Sequence, residues 1–299
     1  MPPVTRRSCD GLDQPVAQGQ AFLIRPLRFR FVAQDPIFFP VHKPGNILRG
    51  AFGHLFRSLA CRCPSDIHAA DCPYARIFEP KPLVAGPSGL ADLPRPFVFR
   101  AAHLDGLRIA PGCAFHFDVN LFTADPWPIP HFEATFARLA TEGLGPGRGR
   151  AQLQGVDSSV VELSLAPEGA RQVTVHFVTP TELKAAEGML SEPTFEILVA
   201  RLRDRIANLS EQYGHGPIPL DFRAFAERAR SISCLEAKLE QVSVERQSSR
   251  TGQTHPLSGF IGQATYAGDL GEFLPYLKIG QHTGVGRQTV WGKGQLQIT

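Results

Sequence analysis

Several kinds of residue and segment are scarce in this chain, and each scarcity narrows what it can do. No apolar run among its 299 residues is long enough to cross a bilayer, so no membrane-spanning helix is expected. The N-terminus lacks the apolar core of a secretory signal ahead of any cleavage site, which points to a cytoplasmic protein with no membrane partner. The six cysteines of such a chain are free thiols or metal ligands before they are disulfides. Charge of one sign is in short supply as well. At a net +3, any contact with a polyanion must come from local clusters of Arg and Lys.

Glycine, by contrast, is concentrated near the C-terminus. Residues 280–294 read Gly-Gln-His-Thr-Gly-Val-Gly-Arg-Gln-Thr-Val-Trp-Gly-Lys-Gly and run into the alternating strand Gln295 to Ile298. Gly284, Gly286, Gly292 and Gly294 let the backbone approach another chain or a ligand closely, and Arg287 and Lys293 add positive charge. A helix-like stretch, Asp269 to Lys278, comes before this loop and a strand after it. That order is the reverse of a P-loop or a dinucleotide fingerprint.

The same arrangement occurs earlier. Pro130 to Glu142 reads as a helix, Gly143 to Arg150 as a loop carrying Arg148 and Arg150, and Ala151 to Val156 as a strand. Helix, glycine-arginine loop and strand therefore appear twice, about half the chain apart, as an internal duplication would place them. A length of about two ordinary domains and an apolar content of 43% agree with two cores.

The first half reads as a strand over 21–33, a helix from Asn46 to about Cys61, strands over 96–103 and 113–122, then the helix and loop just described. The second half has a strand over 172–178, an amphipathic helix over 194–213 and long strands near 235–247 and 257–266, ahead of the last helix, loop and strand. Both approximate β-α-β-β-α-β, so the expected class is α+β with tandem ferredoxin-like domains. The expected divisions are a flexible arm over 1–20, a first domain over 21–166 with a Cys-containing insertion at 61–95, and a second over 167–299 with its glycine-rich loop at 280–294. Arg246 to His255 reads as a further exposed hairpin tip.

Four stretches carry a family resemblance. They are Leu48 to Gly53, Cys72 to Glu79, Phe177 to Lys184, and the loop from Thr283 to Gly294. Together and in this order they resemble the CRISPR precursor-RNA-processing endoribonucleases of the RAMP superfamily, the Cas-six type. The resemblance implies RNA lying across two ferredoxin-like domains and cleavage within CRISPR repeats to release guide RNAs. It implies attack by the RNA's own 2′-hydroxyl, leaving 2′,3′-cyclic phosphate and 5′-hydroxyl ends without a catalytic cofactor. Repeat RNA and crRNA are then the partners, with other Cas proteins of an effector complex. The rival within the superfamily is a crRNA-binding subunit that does not cut, and a rival from another class is a zinc-stabilised scaffold for partner proteins.

That chemistry needs proton transfer and charge stabilisation at the phosphorus, for which His and Lys or Arg are suited. The resemblance places a catalytic histidine in or just before the first helix, where His42, beside Lys43, and His54 both qualify. His282, flanking the terminal loop, is a third candidate. Each has an ordinary reading beside it: a surface histidine at 42, a satisfied helix histidine at 54, and a non-catalytic RNA contact at 282. The family often pairs its histidine with a tyrosine, and none precedes Tyr74 here.

Expected RNA contacts are Arg148, Arg150, Arg287 and Lys293 in the loops, Lys278 just before the second loop, and Arg49 at the start of the first helix. For each the alternative is a solvated surface charge. Cys61, Cys63, His68 and Cys72 offer three thiolates and an imidazole to a structural zinc, although their irregular spacing also suits a loop with ordinary thiols.

Overall fold

Alternation makes the first strand. In Ala21–Ala33 (β1), Leu27, Phe29 and Phe31 are buried while Arg28 and Arg30 between them are exposed. The computed structural model describes residues 21–64, 67–81, 93–185, 188–189, 193–247 and 254–299, so the arm at 1–20 and the middle, 248–253, of the expected tip Arg246 to His255 lie outside the described residues. After β1 come helix Pro44–Ala60 (α1), strands Phe97–Arg100 (β2) and Ala114–Leu121 (β3), helix Ile129–Glu142 (α2) and strand Ala151–Ser158 (β4). The sheet order is β2-β3-β1-β4, all antiparallel, with Val161–Ser164 (β5) pairing the early part of β1.

Cross-strand aromatics set the register. Phe29 faces Phe117 and Phe31 faces Phe115, with ring centroids 5.6 and 5.2 Å apart. Above them, Phe52 of α1 stacks on Phe132 and Phe136 of α2 at 4.6 and 4.9 Å. Truncating such a buried ring to alanine costs about 3–5 kcal/mol.

The second sheet repeats the plan. It contains Gln172–Thr181 (β6), Ser233–Val242 (β7), Gly259–Ala267 (β8) and Leu296–Ile298 (β9) in the order β7-β8-β6-β9, again antiparallel. Its helices are Phe195–Gln212 (α3), Phe222–Ala229 (α4) and Leu274–Thr283 (α5). Thr194 caps α3 by accepting the Ile197 N–H, and Asp221 caps α4 by accepting from Arg223 and Ala224. Both sheets thus have the ferredoxin-like strand order.

The cores are not separated along the chain. Phe22 and Ile24 at the start of β1 pack in the second core with Val98 and Phe122, whereas Val290, near the C-terminus, packs in the first. Two expected elements differ from what is observed. The last helix begins at Leu274, not Asp269, because Pro275 suits a first turn, where its missing N–H is needed by no carbonyl. It runs on through Gly280 to Thr283, since a side chain at 280 would meet Leu202 of α3 at 2.6 Å. The terminal loop therefore starts at Gly284. The long strand expected over 235–247 is broken after Val242 and resumes at Glu245.

Candidate functional site

The turn between β1 and α1 is conformationally constrained. His42 has φ 58°, a left-handed conformation that costs a non-glycine residue energy. Asp105 holds it there. The His42 backbone N–H donates to Asp105 Oδ1, and the ring Nδ1 lies 3.5 Å from Asp105 Oδ2. Lys43 follows at the N-cap of α1, which has no side-chain cap and no acidic residue in its first turn. Pro44 has no N–H and Gly45 is buried against Gly292, so this end offers an anion the helix dipole, the Asn46 N–H and the Lys43 side chain.

The C-terminal loop meets this turn backbone to backbone. A Cβ on Gly45 would lie 2.7 Å from Gly292 Cα, so neither position has room for a side chain. A cavity of about 70 Å³ lies at the junction, lined by His42, Gly45 and Asp105 from the first half and by Thr179, Gly292 and Lys293 from the second.

The two glycine loops do equivalent things in their own halves. In the first, Gly149 passes so near the chain leaving β1 that a Cβ would be 2.4 Å from Pro36 O, and Arg150 Nε donates to Asp35 at 2.7 Å. In the second, a Cβ on Gly286 would lie 2.3 Å from the carbonyl oxygen of Glu182, the residue just after β6, and Arg287 donates to the Glu182 carboxylate at 2.8 Å. One arginine per loop is thus tied to the acid at the exit of the first strand.

These ties correct part of the expected RNA surface. Arg150 and Arg287 are ion-paired, though their side chains remain 61% and 59% exposed. Lys293 is 4% exposed, with Nζ donating to Glu182, to Ser258 O and to Gln288, so its charge is used inside the protein and is not offered to a phosphate. Burial pulls its pKa down and the Glu182 hydrogen bond opposes the shift. Lys278 pairs with Glu168. The Arg49 guanidinium lies over the rings of Phe78 and Trp291 at 5.2 and 5.7 Å, bracing α1 against the terminal loop. Arg148 is exposed at the tip of the first loop. Gly284 and Gly294 shape the second loop from within, since a Cβ on either would meet the facing strand of the same loop at 3.1 or 1.9 Å.

The three candidate histidines are not brought together. His54 is exposed on α1, ten residues past Pro44 and so about 15 Å along the helix from His42. His282 lies in the last turn of α5, where burial and then the Arg100 charge push its pKa down to about 4. It is held neutral, which argues against a protonated role there. Asn120 donates to the His282 carbonyl at 3.0 Å, and Arg100 and Arg205 donate to the carbonyls of Gln281 and Thr283. These three side chains cap α5 and were not foreseen; a cation bound for a distant helix end has no local sequence mark.

Cys61, Cys63, His68 and Cys72 do converge, with all four ligand atoms within 4.8 Å of one another. Beside them lies a cavity of about 710 Å³, whose wall includes Arg76 stacked on Trp127 at 3.9 Å, and Tyr213 of the second half.

Residues 175–296 match the family described as CRISPR-associated endoribonuclease Cas6, and residues 22–176 match the N-terminal domain family AF_1859_N. The C-terminal part of the chain carries a Cas6 domain. Solved structures agree at the level of the fold. A Cas6 product complex is 17% identical with a TM-score of 0.59, covering 93% of this chain and 99% of that one. Thermus thermophilus Cas6 is 16% identical at 0.54, with the same coverages. A partial Cas6-RT-Cas1–Cas2 complex is 11% identical at 0.57, covering 93% of this chain and 46% of that one. No curated protein matches the sequence. No helix among the described residues is long and apolar enough to cross a membrane.

Proposed function

We propose that this protein cleaves precursor CRISPR RNA within its repeats, as an enzyme of the Cas6 type, by attack of a 2′-hydroxyl on the adjacent phosphorus, without a metal ion. The new 2′-O–P bond forms as the P–O5′ bond breaks, so the 2′ proton must go to a base and the 5′ oxygen must receive one. The products carry a 2′,3′-cyclic phosphate and a 5′-hydroxyl. The reading rests chiefly on His42, held by Asp105 in a left-handed turn at the head of an uncapped helix, in the cavity where the two halves meet.

In this reading His42 carries one of the two protons. Asp105, on the Nδ1 side, orients the ring and leaves Nε2 to the substrate. The N-terminal end of α1, through its dipole and Lys43, faces the phosphorane oxygens and stabilises the charge that builds on them. RNA lies across two domains, residues 21–166 and 167–299, with Arg148 as the most accessible loop contact. Similarity to a Cas6 product complex and to a Cas6-RT-Cas1–Cas2 complex supports repeat RNA and other Cas proteins as partners.

The test uses labelled repeat RNA in EDTA, with His42→Ala, Asp105→Asn and His54→Ala variants and an RNA with one 2′-deoxy nucleotide at the cut. Cleavage should survive EDTA, stop with the deoxy substrate, collapse in His42→Ala and persist in His54→Ala. Tight binding with no cleavage by the wild type would make the chain a guide-holding subunit.

A further inference from the structure

Two of the four converging ligands sit where helices fix them. Cys61 is the residue at which α1 ends, its N–H donating to Arg57 O at 3.0 Å. Cys72 caps the short helix Pro73–Phe78, its carbonyl accepting the Arg76 N–H at 3.0 Å. Cys63 and His68 lie on the chain between them. Cys72 is 5% exposed and the His68 side chain also 5%.

We propose that Cys61, Cys63, His68 and Cys72 bind one zinc ion that fixes the insertion to the end of α1. Tetrahedral zinc with bonds of about 2.3 Å to sulfur and 2.0 Å to nitrogen sets its S···N edges at about 3.5 Å. The observed edges from His68 Nδ1 are 3.3 Å to Cys61 Sγ and 3.8 Å to Cys72 Sγ. A cluster of several irons needs its thiolates around a larger body than this spacing encloses.

The outer groups agree with the assignment. His68 presents Nδ1 to the thiols and Nε2 to Glu79 Oε2 at 3.7 Å, the carboxylate-histidine-metal order that fixes a ligand's tautomer. Tyr74 donates its hydroxyl to the other Glu79 oxygen at 3.3 Å, and the Ala69 N–H points to Cys63 Sγ at 3.4 Å. Binding releases the thiol protons as Zn–S bonds form, with no electron transfer.

The ion would act on shape. It closes the chain from 61 to 72 and seats Phe78 against Phe52 and Phe56, at 5.7 Å from each. It also holds Arg76 on Trp127, in the wall of the large cavity.

Elemental analysis of protein purified without chelator should find one zinc per chain. Replacement by Co²⁺ should give a thiolate-to-cobalt charge-transfer band and intense tetrahedral ligand-field bands. His68→Cys should keep the metal and shift the cobalt spectrum to that of four thiolates, whereas Cys63→Ala should lose at least tenfold in metal affinity, and chelation should lower the Tm of the wild type. The assignment fails if the wild type carries neither zinc nor a cobalt charge-transfer band, or if non-reducing peptide mapping finds a disulfide among Cys61, Cys63 and Cys72. None of these readouts depends on RNA cleavage.

Discussion

Gly45 and Gly292 touch through their backbones, one from the first turn of α1 and the other from the terminal loop. Nothing flexible lies between them, so an added methyl cannot be accommodated by moving a side chain. Gly45→Ala should destabilise the protein by about 1–3 kcal/mol, as overpacking does. It should also open the cavity beside His42 and reduce cleavage. Thermal denaturation and single-turnover kinetics check the two effects separately. A fully active Gly45→Ala protein with an unchanged Tm would show that the contact is dispensable.

Glu182 receives both Arg287 and the buried Lys293. Glu182→Gln should therefore cost more stability than Lys293→Met, because it leaves a buried ammonium without its counter-charge, whereas Lys293→Met leaves Glu182 with Arg287. Removing one partner of a buried pair costs about 3–5 kcal/mol, an upper figure here since Nζ keeps Ser258 O and Gln288. Urea titrations of both variants and the double mutant would rank them. Equal losses would contradict the ordering.

His282 makes stability depend on acidity. Its folded pKa of about 4 lies below the ordinary 6.5, so between these values the unfolded chain binds a proton that the native protein does not. Stability should fall as pH drops through that window. At about 1.4 kcal/mol per pH unit for a fully buried ring, solvent reduces the total to roughly 1–2 kcal/mol. His282→Gln should flatten the slope in urea titrations between pH 4 and 7, and the remaining slope belongs in part to His215, whose pKa burial also lowers.

Phosphate contacts are separable by salt. Arg148→Ala should weaken repeat-RNA binding and lower the slope of log affinity against log salt by about one. Lys293→Met should leave that slope unchanged. An unchanged slope for Arg148→Ala would remove the first loop from the RNA path.

Much of the fold could be read from periodicity. Alternation in β1 and the stripe Phe195, Leu198, Leu202, Ile206 and Leu209 of α3 are local patterns, and the two sheets follow from them. The glycine loops were legible as a pair, but their contacts were not. Asp105 stands 63 residues from His42 and Glu182 stands 111 from Lys293, and no local signature announces so distant a partner. The same limit hid the fate of Arg49: a guanidinium suits a phosphate or an aromatic face, and only folding brings Phe78 and Trp291 beneath it. The end of α5 was misplaced because the space left by Gly280 belongs to Leu202, on another helix.

Val290 lies in the first core, among residues that precede it by well over a hundred positions. On the ribosome, a nascent chain that has emerged only through α2 and β4 lacks that side chain and the brace of Trp291 on Arg49. The first sheet must therefore wait for the second to be synthesised before its interior is finished. The two halves mature together, and a translation product truncated before the terminal loop leaves both the His42 turn and its own core unsealed.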